Sequence, residues 1–202
     1  MKQQYIKILS NYLPNGTEEY VADLIIEHQT HFNISRPRKT KLGDYRSPRN
    51  GRGHRISVNA NLNPYSFLIT TLHEFAHLTT YNRFKHEVYP HGPQWKTEFL
   101  NLFNPVYDLI EFPPDIKTAL FNYFKNPKAS SCSDDKLMRV LKRYDDNNDE
   151  LLVEHLKIGQ KFKLNGKTFV KGKRLRKYYL CKDVYTNKEY RVNGLAEIQT
   201  ID

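Results

Sequence analysis

Cysteine is scarce. There are two in 202 residues, Cys132 and Cys181. Two thiols build neither a disulfide framework nor a four-thiolate zinc ribbon. Their number fits a reduced, cytosolic setting. Long apolar runs are also missing. None approaches the roughly 18 residues that a membrane-spanning helix needs. The first residues, MKQQYIKILSNYL, show no apolar h-region and no small-residue cleavage site, so no signal peptide is expected. No internal repeat or low-complexity tract appears. What the chain does have is ordinary apolar content: 39% hydrophobic and 13% aromatic residues predict a folded protein rather than a disordered one.

Acidic residues are outnumbered 22 to 32, giving a formal charge of +10. The placement of the excess is more informative than its size. Residues 36–55 carry eight Arg/Lys and one Asp, a net +7. Residues 151–202 carry twelve Arg/Lys and five Asp/Glu, again +7, so the remainder sums to −4. Two basic segments on a mildly acidic body predict a polyanionic partner, most simply DNA, single-stranded or at a junction. The candidate contacts are Arg46, Arg49 and Arg52 in the first segment, and Lys171, Lys173, Arg174, Arg176 and Lys177 in the second. Tyr178 and Tyr179 follow the second cluster and are candidates to stack on unpaired bases. A nucleoid-associated, cytoplasmic protein is the corresponding expectation.

Periodicity predicts two N-terminal helices, on Tyr5, Ile8, Leu9 and Tyr12 and on Val21, Leu24, Ile25 and His28, with Thr17 as N-cap of the second. Strands are predicted at about 38–46 and 54–60, with the basic turn SPRNGRG between them. Asn63-Pro64 opens a helix to about Tyr81, Asn63 capping and Pro64 in the first turn. Further helices are predicted from Pro93, from Pro113-Pro114 until Pro127, and over about 134–144. Beyond 150, alternating patterns and the pairs Asn165-Gly166, Lys171-Gly172, Thr186-Asn187 and Asn193-Gly194 predict four or five short strands. The expected division is 1–128 as the main domain, 129–150 as a linker with a short helix, and 151–202 as a basic β module. The fold class is α+β.

Inside the helix from Pro64 lies His73-Glu74-Phe75-Ala76-His77, an H-E-x-x-H pattern. At about 100° per residue, His77 falls about 40° from His73 and Glu74 about 100° from it. Leu68, Leu72, Phe75, Leu78 and Thr79 lie on the opposite side, predicting an apolar face against the core. Two imidazoles one turn apart chelate a single ion, and the neighbouring carboxylate reaches a water on it. Zinc of this kind needs a third protein ligand and an open fourth position. The position six residues after His77 is Arg83 and Thr80 replaces the glycine that would precede it, which excludes a metzincin. His91, in Pro90-His91-Gly92-Pro93-Gln94-Trp95, is the favoured third ligand. Gly92 there allows a close backbone approach. His86 and Glu98 are the competitors.

HEFAHL followed by HGPQW resembles the SprT-like family, the Spartan-related metalloproteases of bacterial type. RKTKLGDYR and HRISVNANLN look like that family's strand pair before the active-site helix. The resemblance covers roughly 35–105. It implies a zincin-like helical core with a small antiparallel sheet, zinc on His73, His77 and His91, Glu74 as catalytic base, and proteolysis of DNA-associated or DNA-crosslinked proteins. Many members carry a C-terminal zinc ribbon of paired cysteines. Only Cys181 lies in this tail, so any DNA contact would have to come from basic strands.

The resulting expectation is zinc-dependent peptide hydrolysis, with Tyr81, Arg83 and Tyr89 as candidate donors to the oxyanion and the strand at 54–60 offering its edge to an extended substrate. The alternative class is a DNA-binding or transcription-associated protein whose zinc site is structural or vestigial.

Overall fold

The computed structural model describes residues 1–38, 41–125, 127, 134–145 and 151–201. The chain divides into two compact units, 1–145 and 146–202. Cys132 and much of the expected 129–150 linker lie outside the described residues.

The first unit mixes helices with a small sheet. It opens with α1 (Lys2–Leu9) and α2 (Glu18–Glu27). Thr17 does occupy the N-cap position of α2. Its hydroxyl, however, donates backwards to Pro14 O at 2.8 Å, and Glu18 instead binds the Gly16 amide at 2.7 Å. Strand β1 (His31–Ser35) follows, an element the alternation did not reveal, then β2 (Gly43–Arg46) and β3 (Arg55–Asn59). The order is β1-β3-β2, with β1 parallel and β2 antiparallel to β3. This corrects two expectations. The sheet is mixed rather than antiparallel. And β3, the strand expected to offer an edge, is paired on both sides; β2 is an edge instead.

The long helix α3 (Pro64–Phe84) packs against β2 and β3 of this sheet. The Asn63 side chain accepts from the Ser66 amide at 2.9 Å and donates to Leu141 O at 2.9 Å. One residue thereby satisfies an orphan helix donor and ties α3 to a distant segment. The helix runs about one turn beyond Tyr81. It is also buried more completely than an amphipathic pattern implies. Leu68, Leu72, Phe75 and Leu78 are in the core as expected and Thr79 is half-buried, but Phe67, Thr70, Thr71, His73 and Glu74 are buried too. Helix α4 (Pro93–Phe103) and strand β2 cover that polar side. Then come α5 (Val106–Leu109), α6 (Pro114–Phe124) and α7 (Asp135–Leu141). Leu137 and Leu141 of α7 belong to the same core as Phe67 and Phe99. This short helix is therefore an integral part of the first unit and not a linker element.

The second unit is a five-stranded antiparallel sheet in the order β7-β6-β5-β4-β8. Its strands are β4 (Lys161–Leu164), β5 (Lys167–Leu175), β6 (Tyr178–Asp183), β7 (Glu189–Asn193) and β8 (Gln199–Thr200). Val153, Phe162, Phe169, Cys181 and Val192 form its core. Asn165 and Gly166 take φ of 50° and 76°, the pairing that a two-residue β4–β5 hairpin requires. Lys171-Gly172 is not a turn. It lies within β5 at a register shift, where a Cβ on Gly172 would run into the Leu180 carbonyl. The β5–β6 turn falls instead at Arg176-Lys177, with Arg176 at φ 53°.

Candidate metal centre

His73 and His77 project from one face of α3 because they are separated by one turn. His91 reaches them from the loop before α4. Gly92 N–H donates to Tyr89 O at 3.0 Å, closing a turn with Pro90 and His91 at its centre, and His91 takes φ 60°. Position i+2 of such a turn favours glycine, so the backbone of His91 is held in a costly conformation, as is common at functional sites. Gly92 has its own reason: a Cβ there would stand 2.9 Å from Tyr89 O.

The outcome is a triad of imidazoles whose donor atoms all lie within 4.8 Å of one another. His91 Nε2 is 3.3 Å from His73 Nε2. The His77 and His91 ring centroids are 4.5 Å apart. Trp95 closes the floor, its ring 4.6 Å from His73 and 4.8 Å from His91. His73 Nδ1 is buried without a hydrogen-bond partner among the described residues. Burial, followed by the neighbouring imidazoles, depresses His73 to about 2, and burial then His91 depress His77 to about 4. Both therefore stay neutral, with lone pairs free, across the physiological range. Neutral imidazole is the form that binds a metal, so the three residues could hold one ion.

Glu74 lies beside them, 7% exposed. Burial and then Asp44 push its carboxyl up to about 8, while the Tyr45 amide, Arg38 and Lys41 pull the other way. It packs over Gly43, where a Cβ would come within 2.8 Å of Glu74 Cγ. Only glycine lets β2 approach α3 so closely. Asn59 N–H donates to Leu42 O. By antiparallel alternation the amides of Gly43 and Tyr45 therefore face away from β3, and the Tyr45 amide bonds the Glu74 carboxylate.

Glu98 and His86 are placed elsewhere. Glu98 pairs with Arg83 at 2.8 Å, which engages one competing ligand and one candidate oxyanion donor together. His86 packs edge-on against Tyr81. Tyr89 is 88% exposed. Sequence reasoning missed Tyr45 and His54. The Tyr45 hydroxyl lies 3.0 Å from His54 Nδ1, and its ring is parallel to His77 at 6.4 Å. Nothing in local spacing pairs these two; only the β2–β3 register does.

The expected nucleic-acid residues are scattered. Arg46 bonds Asp44 at 2.9 Å. Arg49 and Arg52 flank a tight exposed turn, with Asn50 at φ 52° and Gly51 at 73°. Lys173, Arg174 and Arg176 are exposed near the β5–β6 hairpin, and Lys177 is half-buried. Lys171 is a correction. It is 3% exposed, donates to Leu156 O at 2.6 Å and Glu154 O at 3.2 Å, and stands 3.9 Å over the Tyr179 ring. It is an internal strut and has no donor left for phosphate. No helix among the described residues is long and apolar enough to cross a membrane.

Residues 12–110 match the SprT-like family. No curated protein and no solved structure matches the chain.

Proposed function

Residues 12–110 belong to the SprT-like family, and from that premise we propose that the protein is a zinc-dependent endopeptidase with a zincin-like core, acting on proteins associated with or crosslinked to DNA. The observation that carries this reading is the convergence of His73, His77 and His91 beside a buried Glu74. Three imidazoles suit zinc among the common divalent ions. Nitrogens at about 2.0–2.1 Å from a tetrahedral zinc stand about 3.3–3.4 Å from each other. The 3.3 Å between His73 and His91 fits that requirement. Bound zinc would act as a Lewis acid, polarising the scissile carbonyl and making water a nucleophile near neutral pH.

The chain supplies the rest. Glu74 takes the proton from the attacking water and returns it to the departing amine. With the Tyr45 amide engaged by Glu74, the Gly43 amide and the outward carbonyls of β2 pair with an extended substrate, so recognition depends on main chain and little on side-chain identity. Trp95 and Phe99 exclude water behind His73. The Glu74→Gln variant tests the assignment. It should bind one equivalent of zinc and lose at least about a thousandfold in casein cleavage, within the range assigned to a general base plus its orientation. Full activity in this variant would refute Glu74 as base. Zinc binding with no cleavage by the unaltered protein would favour a structural site.

A further inference from the structure

The second unit has one buried and one open sheet face, and the pairing register separates them. Phe162, Phe169, Lys171, Cys181 and Val192 point inward. On the opposite face Lys161 stands opposite Val170, Val170 opposite Lys182, and Leu180 opposite Arg191. Lys163 lies on the same face, next to Thr168 and Gln199. Lys161, Lys163, Lys182 and Arg191 are all exposed. No salt bridge engages any of the four among the described residues. Glu189, opposite Lys182, is the one acid in these outward rows of β4 to β7. Leu180 lies half-buried beside Arg191, and Tyr178, also half-buried, lies two residues further along β6, opposite Asn193, with Lys177 Nζ 5.3 Å from its ring centroid. The register also separates the two tyrosines: Tyr179 is turned inward under Lys171, whereas Tyr178 is on the open face.

Four unpaired cations around a flat, partly apolar strip call for a ligand with regularly spaced negative charge and planar groups. We propose that this face binds single-stranded nucleic acid, with Lys161, Lys163, Lys182 and Arg191 on phosphates and Tyr178 beneath a base. Strands lie about 4.8 Å apart, so β4 to β7 span about 14 Å. That width takes a few nucleotides of a single strand, the small end of the site sizes found on OB folds. A lipid surface fits less well, since Leu180 and Tyr178 are half-buried and leave little apolar area to insert. The inference rests on the nucleic-acid part of the proposed function and is independent of the peptidase part.

The test uses the full chain and a fluorescent oligo-dT of about twelve nucleotides, followed by anisotropy between 50 and 200 mM salt. Three or four phosphate contacts on a single strand give a slope of log K against log salt of about −2 to −3. The triple variant K161E/K182E/R191E should lose at least about tenfold in affinity and most of that slope, with circular dichroism unchanged. R174E/R176E, at the hairpin, should change affinity by less than about twofold. Equal binding by the triple variant, or a loss confined to the hairpin variant, overturns the face. Tighter binding to duplex overturns the single-strand assignment. Absence of oligonucleotide binding by the unaltered chain, or preference for vesicles of anionic lipid, overturns the nucleic-acid reading itself. Casein cleavage, measured in parallel, reports separately on the peptidase reading.

Discussion

Both units bury polar groups that carry or attract charge, but they do so in opposite ways. In the second unit Lys171 is buried and fully engaged by two carbonyls and an aromatic ring. In the first, His73 and Glu74 are buried with the half-buried His77 and His91 beside them, and the three imidazoles converge on one point. A buried polar group without compensation costs about 1–3 kcal/mol. A fold keeps such groups only where something else compensates, and a bound ion is the natural compensator for three convergent imidazoles. The contrast teaches that burial alone does not mark function. A satisfied buried cation is architecture, and an unsatisfied buried cluster is a site.

Substitutions can break this contrast, the strongest in the first unit. His91→Ala removes the ligand that comes from outside α3. Zinc affinity should fall by more than about a hundredfold, since even outer partners of ligands reach that loss, and cleavage should disappear with it. Equilibrium dialysis measures the first and a casein assay the second; retained stoichiometric zinc would reassign the third ligand. Lys171→Met is the counterpart. It removes the ammonium that donates to the Glu154 and Leu156 carbonyls and should destabilise the second unit by about 2 kcal/mol. Urea unfolding reads that loss, and casein cleavage should not change. A loss of activity larger than the loss of folded protein would contradict a purely structural lysine.

The pH dependence of the metal-free protein sharpens the same point. His73 and His77 have folded values of about 2 and 4, below the usual 6.5. Their unfolded forms take up protons first, so stability falls as pH drops from about 6.5 towards 4. Glu74 has the opposite sign, raised from 4.5 to about 8. Its unfolded form releases the proton first, so stability falls as pH rises, and above about 6.5 this is the effect that remains. Thermal unfolding of the metal-free chain should therefore be most resistant near pH 6.5. Glu74→Gln should flatten the alkaline side and steepen the acid side between about 4.5 and 6.5, and an unchanged alkaline decline in that variant counts against the burial argument. The smallest effect is expected from Tyr45→Phe. It removes the hydroxyl contact to His54 while keeping the ring beside His77. About 1 kcal/mol of stability should be lost, with zinc stoichiometry unchanged, as unfolding and metal titration would show.

Much of the first unit was legible because its signals are local. Asn63-Pro64 marks a helix start through capping and a fixed φ, and the 3.6-residue period puts His73 and His77 on one side. The missed strand β1 and the β5–β6 turn were not legible for a common reason. Each is set by a partner distant in sequence: β1 by β3, and the Arg176-Lys177 turn by the approach of Gly172 to Leu180. The basic cluster at 171–177 shows the same limit. Composition marks it as one patch, but strand alternation sends Lys171 inward and leaves its neighbours outside.

The sequence alone determined which residues share a helical face, where that helix begins, and that the tail would fold as strands. These follow from torsional preference and period, which act over a few residues. Tertiary structure decided that His91 meets His73 at 3.3 Å, that Glu98 is held by Arg83, that β2 is an edge, and that Tyr45 stands beside His77. Those outcomes depend on packing α3 between a glycine-bearing strand and the aromatic face of α4, which no local rule contains.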